Sequence, residues 1–223
     1  MAESIKDKVC IIGMGCTRFT EHRDKSPDDL VVEACYEAFE DAGIEPKDIQ
    51  AAWFGTCGGM TGMGLTAPLR LQYIPCTRVE NACATGSEAL RAASYAVAAG
   101  VYDIALACGL EKLKDSGFSG LAFGGATSAN VAPPVSAPAM FAMMATKYFS
   151  RYGLSPEEGK RTIGMVSVKS HWNGARNPKA QFQREVSIET VLRAPIIAWP
   201  LGLFDCSGVS DGPAAAIVVP ASM

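Results

Sequence analysis

The chain of 223 residues has few histidines, no closely paired cysteines and no long apolar run. No two of its eight cysteines are spaced as CxxC, which argues against a zinc ribbon or a redox dithiol. No apolar run approaches the ~20 residues that span a bilayer. The N-terminal residues 2–8 are polar, unlike a signal peptide. These absences predict a reduced, cytoplasmic protein with no metal site.

The chain also lacks a large excess of positive or negative charge. The formal net charge is −3, and Lys and Arg form no cluster, so neither a nucleic acid nor a membrane surface is expected as a partner. With 48% hydrophobic and 19% charged residues, the chain has ample material for a core. Cys10, Cys35 and Cys108 fall inside apolar segments, and we expect them to be reduced core residues.

Apolar strands alternate with amphipathic helices along most of the chain. The helix after Ser26 has a capping residue, proline at its first position, and Gly43 as its stop. The predicted strands are 9–12, 51–54, 77–81, 103–108 and 214–219, and a further helix is predicted over 84–99. Because 9–12 is continuously apolar, we expect it to be buried on both faces. The alternation predicts an α/β fold with a parallel sheet and helices on both faces.

The alternation breaks after the fourth strand. Residues 112–138 are rich in Gly, Ser, Ala and Pro, which is typical of a functional insertion or lid. Helices are predicted again over 139–152 and 155–173, and 174–203 is predicted to be a loop.

Cys83 lies where a predicted strand gives way to a helix, in Val79-Glu-Asn-Ala-Cys83-Ala-Thr-Gly-Ser87-Glu-Ala-Leu90. Backbone N–H groups at a helix start are unpaired and carry positive partial charge, which favours a thiolate. The small residues Ala84, Thr85 and Gly86 are expected to leave room for a substrate carbonyl. The turn therefore predicts a nucleophile for acyl transfer, although most lone cysteines are packing residues.

Two other candidate features are weaker. The glycines of 13–15 and 58–64 lack the spacing and the lysine of phosphate loops, so we interpret both as tight turns or close packing. His171 is one of two histidines, with His22, and could act as a base for a thiol. We favour a structural or substrate-edge role for His171.

The segment around Cys83 resembles the thiolase family, in which a cysteine at this turn takes an acyl group from coenzyme A. Residues 205–216 and 168–178 resemble the family too, the latter its sterol-carrier-protein-type and archaeal-type branch. The resemblance implies a mostly parallel five-stranded sheet within a domain of residues 1–223. It also implies a loop subdomain, residues 112–203, inserted before the last strand.

For the site, the resemblance implies that coenzyme A is a substrate and that no cofactor is tightly bound. Met140 and Phe141 would line the acyl pocket. Glu80 stands where the family usually has a small polar residue, which bears on substrate preference. The resemblance further implies a homodimer or higher oligomer, and a zinc-containing OB-fold protein as a partner subunit.

The resemblance is to the N-terminal half of a thiolase. In the family, the second half supplies a histidine in a Gly-His-Pro type segment and a second cysteine for proton transfer, so a partner or further chain is expected to complete the site. Two alternatives stay open beside an acyltransferase. One is a non-catalytic subunit that binds acyl-CoA or lipid, or scaffolds a complex. The other is a decarboxylating ketoacyl synthase.

Overall fold

A five-stranded sheet is the centre of the larger of two compact units in the computed structural model. The structure describes residues 4–58, 60–114 and 136–223. One unit comprises residues 1–119 and 210–223, and the other comprises residues 120–209. The strands are β1 Val9–Cys16, β2 Ala51–Gly55, β3 Cys76–Val79, β4 Ala105–Glu111, β5 Ile196–Ala198, β6 Leu201–Gly202 and β7 Gly212–Pro220. The helices are α1 Pro27–Ala42, α2 Met63–Thr66, α3 Thr85–Ala98, α4 Ala137–Tyr152, α5 Pro156–Gly174 and α6 Ile188–Arg193.

The sheet is mixed, with the strand order β1-β7-β4-β2-β3. Strand β2 pairs in parallel with both β3 and β4, whereas β7 is antiparallel to its neighbours β1 and β4. Four strands therefore run in one direction and β7 runs against them. The predicted α/β fold with a mostly parallel five-stranded sheet is confirmed, with the last strand as the departure from a purely parallel sheet.

Strand β1 corrects one expectation. It lies at the sheet edge, pairs only with β7, and extends four residues beyond the predicted 9–12. Ile11 and Ile12 are 47% and 38% exposed, and Cys10 is exposed too, so neither the double burial nor the core position of Cys10 was right. The reason is that α1 covers β1 on one face, while an apolar run alone does not specify a central position.

Cys35 and Cys108 are buried, as predicted. Their mutual hydrogen bond, together with burial, holds the pKa of Cys35 well above its ordinary value. Cys35 is therefore a protonated packing thiol.

Helix α1 shows how local signals and close packing combine. The Ser26 hydroxyl accepts from the Asp29 backbone N–H, the Asp29 carboxylate accepts from Ser26, and Gly43 ends the helix with φ 68°. A Cβ at Gly13 or Gly15 would lie 2.3 Å or 2.1 Å from α1 carbonyl oxygens. The glycine pair of 13–15 is thus a close-packing device, as interpreted from the sequence.

Two apolar clusters place helices on both faces of the sheet. One face packs Phe39 of α1 against Phe54 and Leu106, among others. The other packs Ala89, Ala93 and Val97 of α3 against the alanines of β4. Since α3 lies along β2 and β4, its first turn meets the carboxyl ends of those strands.

The second unit contains α4, α5, α6 and the β5–β6 hairpin. The two predicted helices are confirmed with small shifts of their ends. The prediction of a loop over 174–203 missed α6 and the β5–β6 hairpin. These elements are too short to show a helical or strand period in the sequence. Of the irregular stretch 112–138, residues 115–135 lie outside the described residues. Within the described ranges, no helix is long and apolar enough to cross a membrane.

Candidate functional site

Cys83 occupies a tight turn between strand β3 and helix α3. Residues Ala82–Ala84 form a single 3-10 turn, and α3 begins at Thr85. The Cys83 side chain is exposed, so it is not a packing thiol. The strand-to-helix turn expected from the sequence is present, with an exposed cysteine in it.

The backbone just before Cys83 is strained. Ala82 has φ 45°, in the left-handed region, which costs a residue with a Cβ about 1–2 kcal/mol. Backbone strain of this kind persists only where neighbouring groups hold it, and it is concentrated at functional sites.

Thr85 is one of the groups that hold the turn. Its hydroxyl donates to the Ala82 carbonyl at 2.6 Å and accepts from the Asn81 N–H at 2.8 Å. Thr85 is buried and its hydroxyl points into the turn to close these two bonds, so the room it leaves for a substrate stays a prediction. Ala84 is exposed, and a Cβ at Gly86 would meet no atom within 4 Å, so these two positions do leave open space.

Glu80 is a second group in contact with the turn. Its carboxylate accepts a hydrogen bond from the Ala82 N–H at 2.8 Å. The same oxygen lies 3.7 Å from the Cys57 sulfur, which can donate to it.

Cys57 contacts the turn that holds Cys83, and the sequence analysis did not identify it. Its sulfur lies 3.6 Å from the Thr85 hydroxyl and 3.7 Å from the Ala82 carbonyl oxygen. Burial raises the pKa of the Cys57 thiol above its ordinary value, and the charges of Glu111 and Glu80 raise it further. Cys57 is therefore a protonated thiol at neutral pH.

Parallel pairing brings these residues together. Cys57 follows β2, Cys83 follows β3 and Glu111 ends β4, so all three lie at the carboxyl edge of the parallel part of the sheet. The Glu111 carboxylate accepts from the Cys57 N–H and from the Thr56 hydroxyl, the latter at 3.3 Å. The alternation of strands and helices in the sequence predicts that β2, β3 and β4 run in the same direction. That shared direction is the signal from which the proximity of these three residues could have been predicted.

Two glycines let α3 approach the sheet at this edge. A Cβ at Gly55 would lie 2.8 Å from the Thr85 carbonyl oxygen, and one at Gly109 would lie 3.3 Å from the Cα of Gly86. Side chains at either position would push the first turn of α3, and with it Cys83, away from the strand ends.

Three further candidate residues belong to the second unit. Met140 and Phe141 are in α4 of the second unit, where Phe141 is 59% exposed, and their role in an acyl pocket stays a prediction. His171, also in the second unit, bonds through Nδ1 to the Arg184 carbonyl at 3.1 Å and packs against Phe204, which supports a structural role.

His22, the other histidine, is buried and bonds through Nε2 to the Arg18 carbonyl at 2.8 Å. The described parts of the chain hold no group of three or more His, Cys, Asp or Glu residues suited to a metal ion.

Comparison with known proteins agrees with this architecture. The family model described as the N-terminal domain of thiolase matches residues 9–222. The acetyl-CoA acetyltransferase of Methanothermobacter thermautotrophicus is 38% identical, over 96% of this chain and 57% of that protein. Sterol carrier protein 2 of Gallus gallus is 31% identical, over 97% of this chain and 42% of that protein. The solved structure of the Ltp2-ChsH2(DUF35) aldolase superposes with a TM-score of 0.81 at 27% identity, over 97% of this chain and 56% of that one.

These relatives include an archaeal acetyltransferase and a sterol carrier protein, the two kinds of thiolase-like protein that the sequence resembles. The chain spans about half the length of the relatives it matches. The match runs over nearly all of this chain, in sequence and in structure. The chain therefore belongs to the thiolase family and corresponds to its N-terminal domain.

Proposed function

We propose that Cys83 is the acyl-accepting nucleophile of a thiolase-type acyltransferase that acts on coenzyme A thioesters. The observation that carries this proposal is the exposed Cys83 in a strained turn at the start of α3. The acetyl-CoA acetyltransferase relative supports the same chemistry.

The reaction proposed is the thiolysis of a 3-oxoacyl-CoA, or its reverse. The Cys83 thiolate attacks the 3-keto carbon and forms a carbon–sulfur bond. The C2–C3 bond then breaks, C2 takes up a proton, and acetyl-CoA leaves, while the shortened acyl group stays on Cys83. The thiol of a second coenzyme A attacks the acyl-enzyme and its proton passes to a base. The shortened acyl-CoA is released and the Cys83 thiolate is regenerated.

Helix α3 can contribute to this chemistry through its first backbone N–H groups. Its N-cap residue Ala84 provides no side-chain acceptor, whereas α1 and α5 are capped by serine hydroxyls. Such N–H groups can stabilise the oxyanion of a tetrahedral intermediate, an effect worth about 3 kcal/mol for one donor in other enzymes. In this proposal, residues outside this chain supply the general base and the second cysteine that thiolases use. We also propose that the protein is cytoplasmic and homo-oligomeric.

The first test is the rate at which each thiol reacts with iodoacetamide, followed by peptide mass spectrometry at neutral pH. Burial raises the pKa of Cys76 to about 11 and that of Cys206 above its ordinary value, so both should react slowly. Cys10 is the matched control, since it is also exposed. The proposal predicts that Cys83 reacts several-fold faster than Cys10 and that acetoacetyl-CoA protects Cys83 alone.

The second test is Cys83→Ser in the complete enzyme, meaning this chain with whatever supplies the second half. Thiolysis should fall to background, and no acyl group should be trapped on the protein after incubation with acetoacetyl-CoA. Full thiolysis by the serine variant would contradict the proposal.

A second candidate function has support from the comparisons: a non-catalytic subunit that binds acyl-CoA or lipid within a complex. One relative is a sterol carrier protein, and the Ltp2-ChsH2(DUF35) aldolase pairs two polypeptides. In this alternative, a zinc-containing OB-fold protein is the proposed partner. Equal alkylation of Cys83 and Cys10, with acyl-CoA binding retained in Cys83→Ser, would favour this function.

A further inference from the structure

Glu80 is a charged side chain in hydrogen-bond contact with the backbone of the turn that holds Cys83. It lies three residues before Cys83, and its carboxylate accepts the Ala82 N–H at 2.8 Å. Ala82 is also the residue with φ 45°. The contact therefore falls on the strained residue next to the sulfur.

Hydrogen bonds at both the N–H and the carbonyl of Ala82 hold this strained backbone. Thr85 binds the Ala82 carbonyl at 2.6 Å, and Glu80 binds the Ala82 N–H. Because the left-handed conformation is unfavourable for alanine, the turn needs such bonds to stay populated. The Thr85 bond comes from α3 itself, whereas Glu80 belongs to the segment that leaves β3. Together they define the path of the chain between strand and helix.

The position of the carboxylate is itself supported. The Cys57 thiol lies 3.7 Å from the same Glu80 oxygen, on the side of the β2 strand end. Since the pKa of Cys57 is raised, this thiol stays protonated and can donate a hydrogen bond to the carboxylate. Strand β2 thus helps to orient Glu80 toward the turn.

We propose that Glu80 is a positioning residue, whose carboxylate fixes the left-handed Ala82 backbone and so presents the Cys83 sulfur at the start of α3. This inference rests on the proposed function, in which Cys83 is the nucleophile. It assigns Glu80 a role through backbone geometry, distinct from an effect of its negative charge on the nearby sulfur.

Three variants of the chain separate geometry from charge. Glu80→Gln removes the charge but keeps an oxygen that can accept the Ala82 N–H. Glu80→Ala removes both. The double variant Glu80→Ala with Ala82→Gly restores the backbone by another route, because glycine adopts a positive φ without support. Glu88→Gln is the charge control, since Glu88 is a neighbouring carboxylate paired with Arg91.

The readouts are the pH profile of Cys83 alkylation by iodoacetamide and hydrogen exchange at the Ala82 amide. We expect Glu80→Ala to react about fivefold more slowly than Glu80→Gln across the profile, the factor that corresponds to one hydrogen bond of about 1 kcal/mol. Ala82 exchange should accelerate in the alanine variant and stay slow in the glutamine variant. The glycine double variant should regain the rate of Glu80→Gln. Continued protection of the buried Cys35 and Cys108 from alkylation reports that each variant is folded.

Equal rates for Glu80→Ala and Glu80→Gln, both displaced from the wild type as Glu88→Gln is, would show that charge alone matters and would overturn the inference. So would a failure of Ala82→Gly to restore the rate. A wild-type Cys83 no more reactive than Cys10 instead overturns the proposed function. In that case, the exchange of the Ala82 amide still decides whether Glu80 holds the turn.

Discussion

Replacing Thr85 by valine removes one hydroxyl while leaving the shape of the side chain nearly unchanged. That hydroxyl accepts from the Asn81 N–H at 2.8 Å and donates to the Ala82 carbonyl at 2.6 Å. Each such bond contributes about 0.5–1.5 kcal/mol net. Asn81 and Ala82 are exposed, so water can replace part of what is lost. We therefore expect Thr85→Val to lower the free energy of unfolding by about 2 kcal/mol.

The assay is urea unfolding followed by circular dichroism. For a slope of about 2 kcal/mol per molar, a loss of about 2 kcal/mol moves the midpoint down by about 1 M. Thr85→Ser is the matched control, because it keeps the hydroxyl and loses one methyl group, a cost of about 1 kcal/mol. Alkylation of Cys83 should be slower in the valine variant than in the wild type and should keep the wild-type rate in the serine variant. A valine variant as stable as the wild type, or more stable than the serine variant, would refute the reasoning.

The remaining predictions concern close packing, a buried ion pair and a helix cap. Gly55→Ala should lower the free energy of unfolding by about 1–3 kcal/mol, because its Cβ would lie 2.8 Å from a carbonyl oxygen of α3. Lys160→Met should cost about 3–5 kcal/mol in urea unfolding, because it leaves the Asp205 carboxylate buried without its ion pair. The hydrogen bond from the Ser26 hydroxyl lowers the pKa of Asp29 below its ordinary value of 3.8. The stability that Asp29 adds over Asp29→Asn should therefore be complete above pH 3.8 and vanish as the pH falls through the lowered value, as measured by unfolding at a series of pH values.

The close-packing and ion-pair predictions each have a control on the same chain. Gly86→Ala should leave stability unchanged or raised, since its Cβ meets no atom within 4 Å. Lys47→Met removes an exposed ion pair with Glu45 and should change stability by less than about 1 kcal/mol. A loss for Gly86→Ala equal to that for Gly55→Ala would argue against the packing explanation. A Lys47→Met loss as large as that for Lys160→Met would argue that burial of the pair is not what matters.

Local signals predicted much of the first unit. Ser26, Pro27 and Gly43 marked the ends of α1 within a residue, since caps act through the backbone next to them. The strand-to-helix turn at Cys83 was predicted from a short run of residue types for the same reason. The β5–β6 hairpin and α6 were missed, because elements of two to six residues are too short to show a period.

Contacts between distant parts of the chain could not be predicted in this way. Nothing in the run 9–12 indicates that β1 is an edge strand, because that depends on β7 pairing between it and β4. Nor does the motif around Cys83 contain Cys57 or Glu111, which precede and follow it by more than twenty residues.

By itself, the sequence determined the family, the α/β class and the place of the proposed nucleophile, because each depends on residues near one another along the chain. Only the tertiary structure decided the surroundings of that nucleophile. The Cys57 thiol beside Thr85 and Glu80, and the Glu111 carboxylate that accepts from the Cys57 N–H, lie where the ends of β2, β3 and β4 meet. The physical reason is that strand order, which the local pattern does not encode, sets which chain ends share one edge of the sheet.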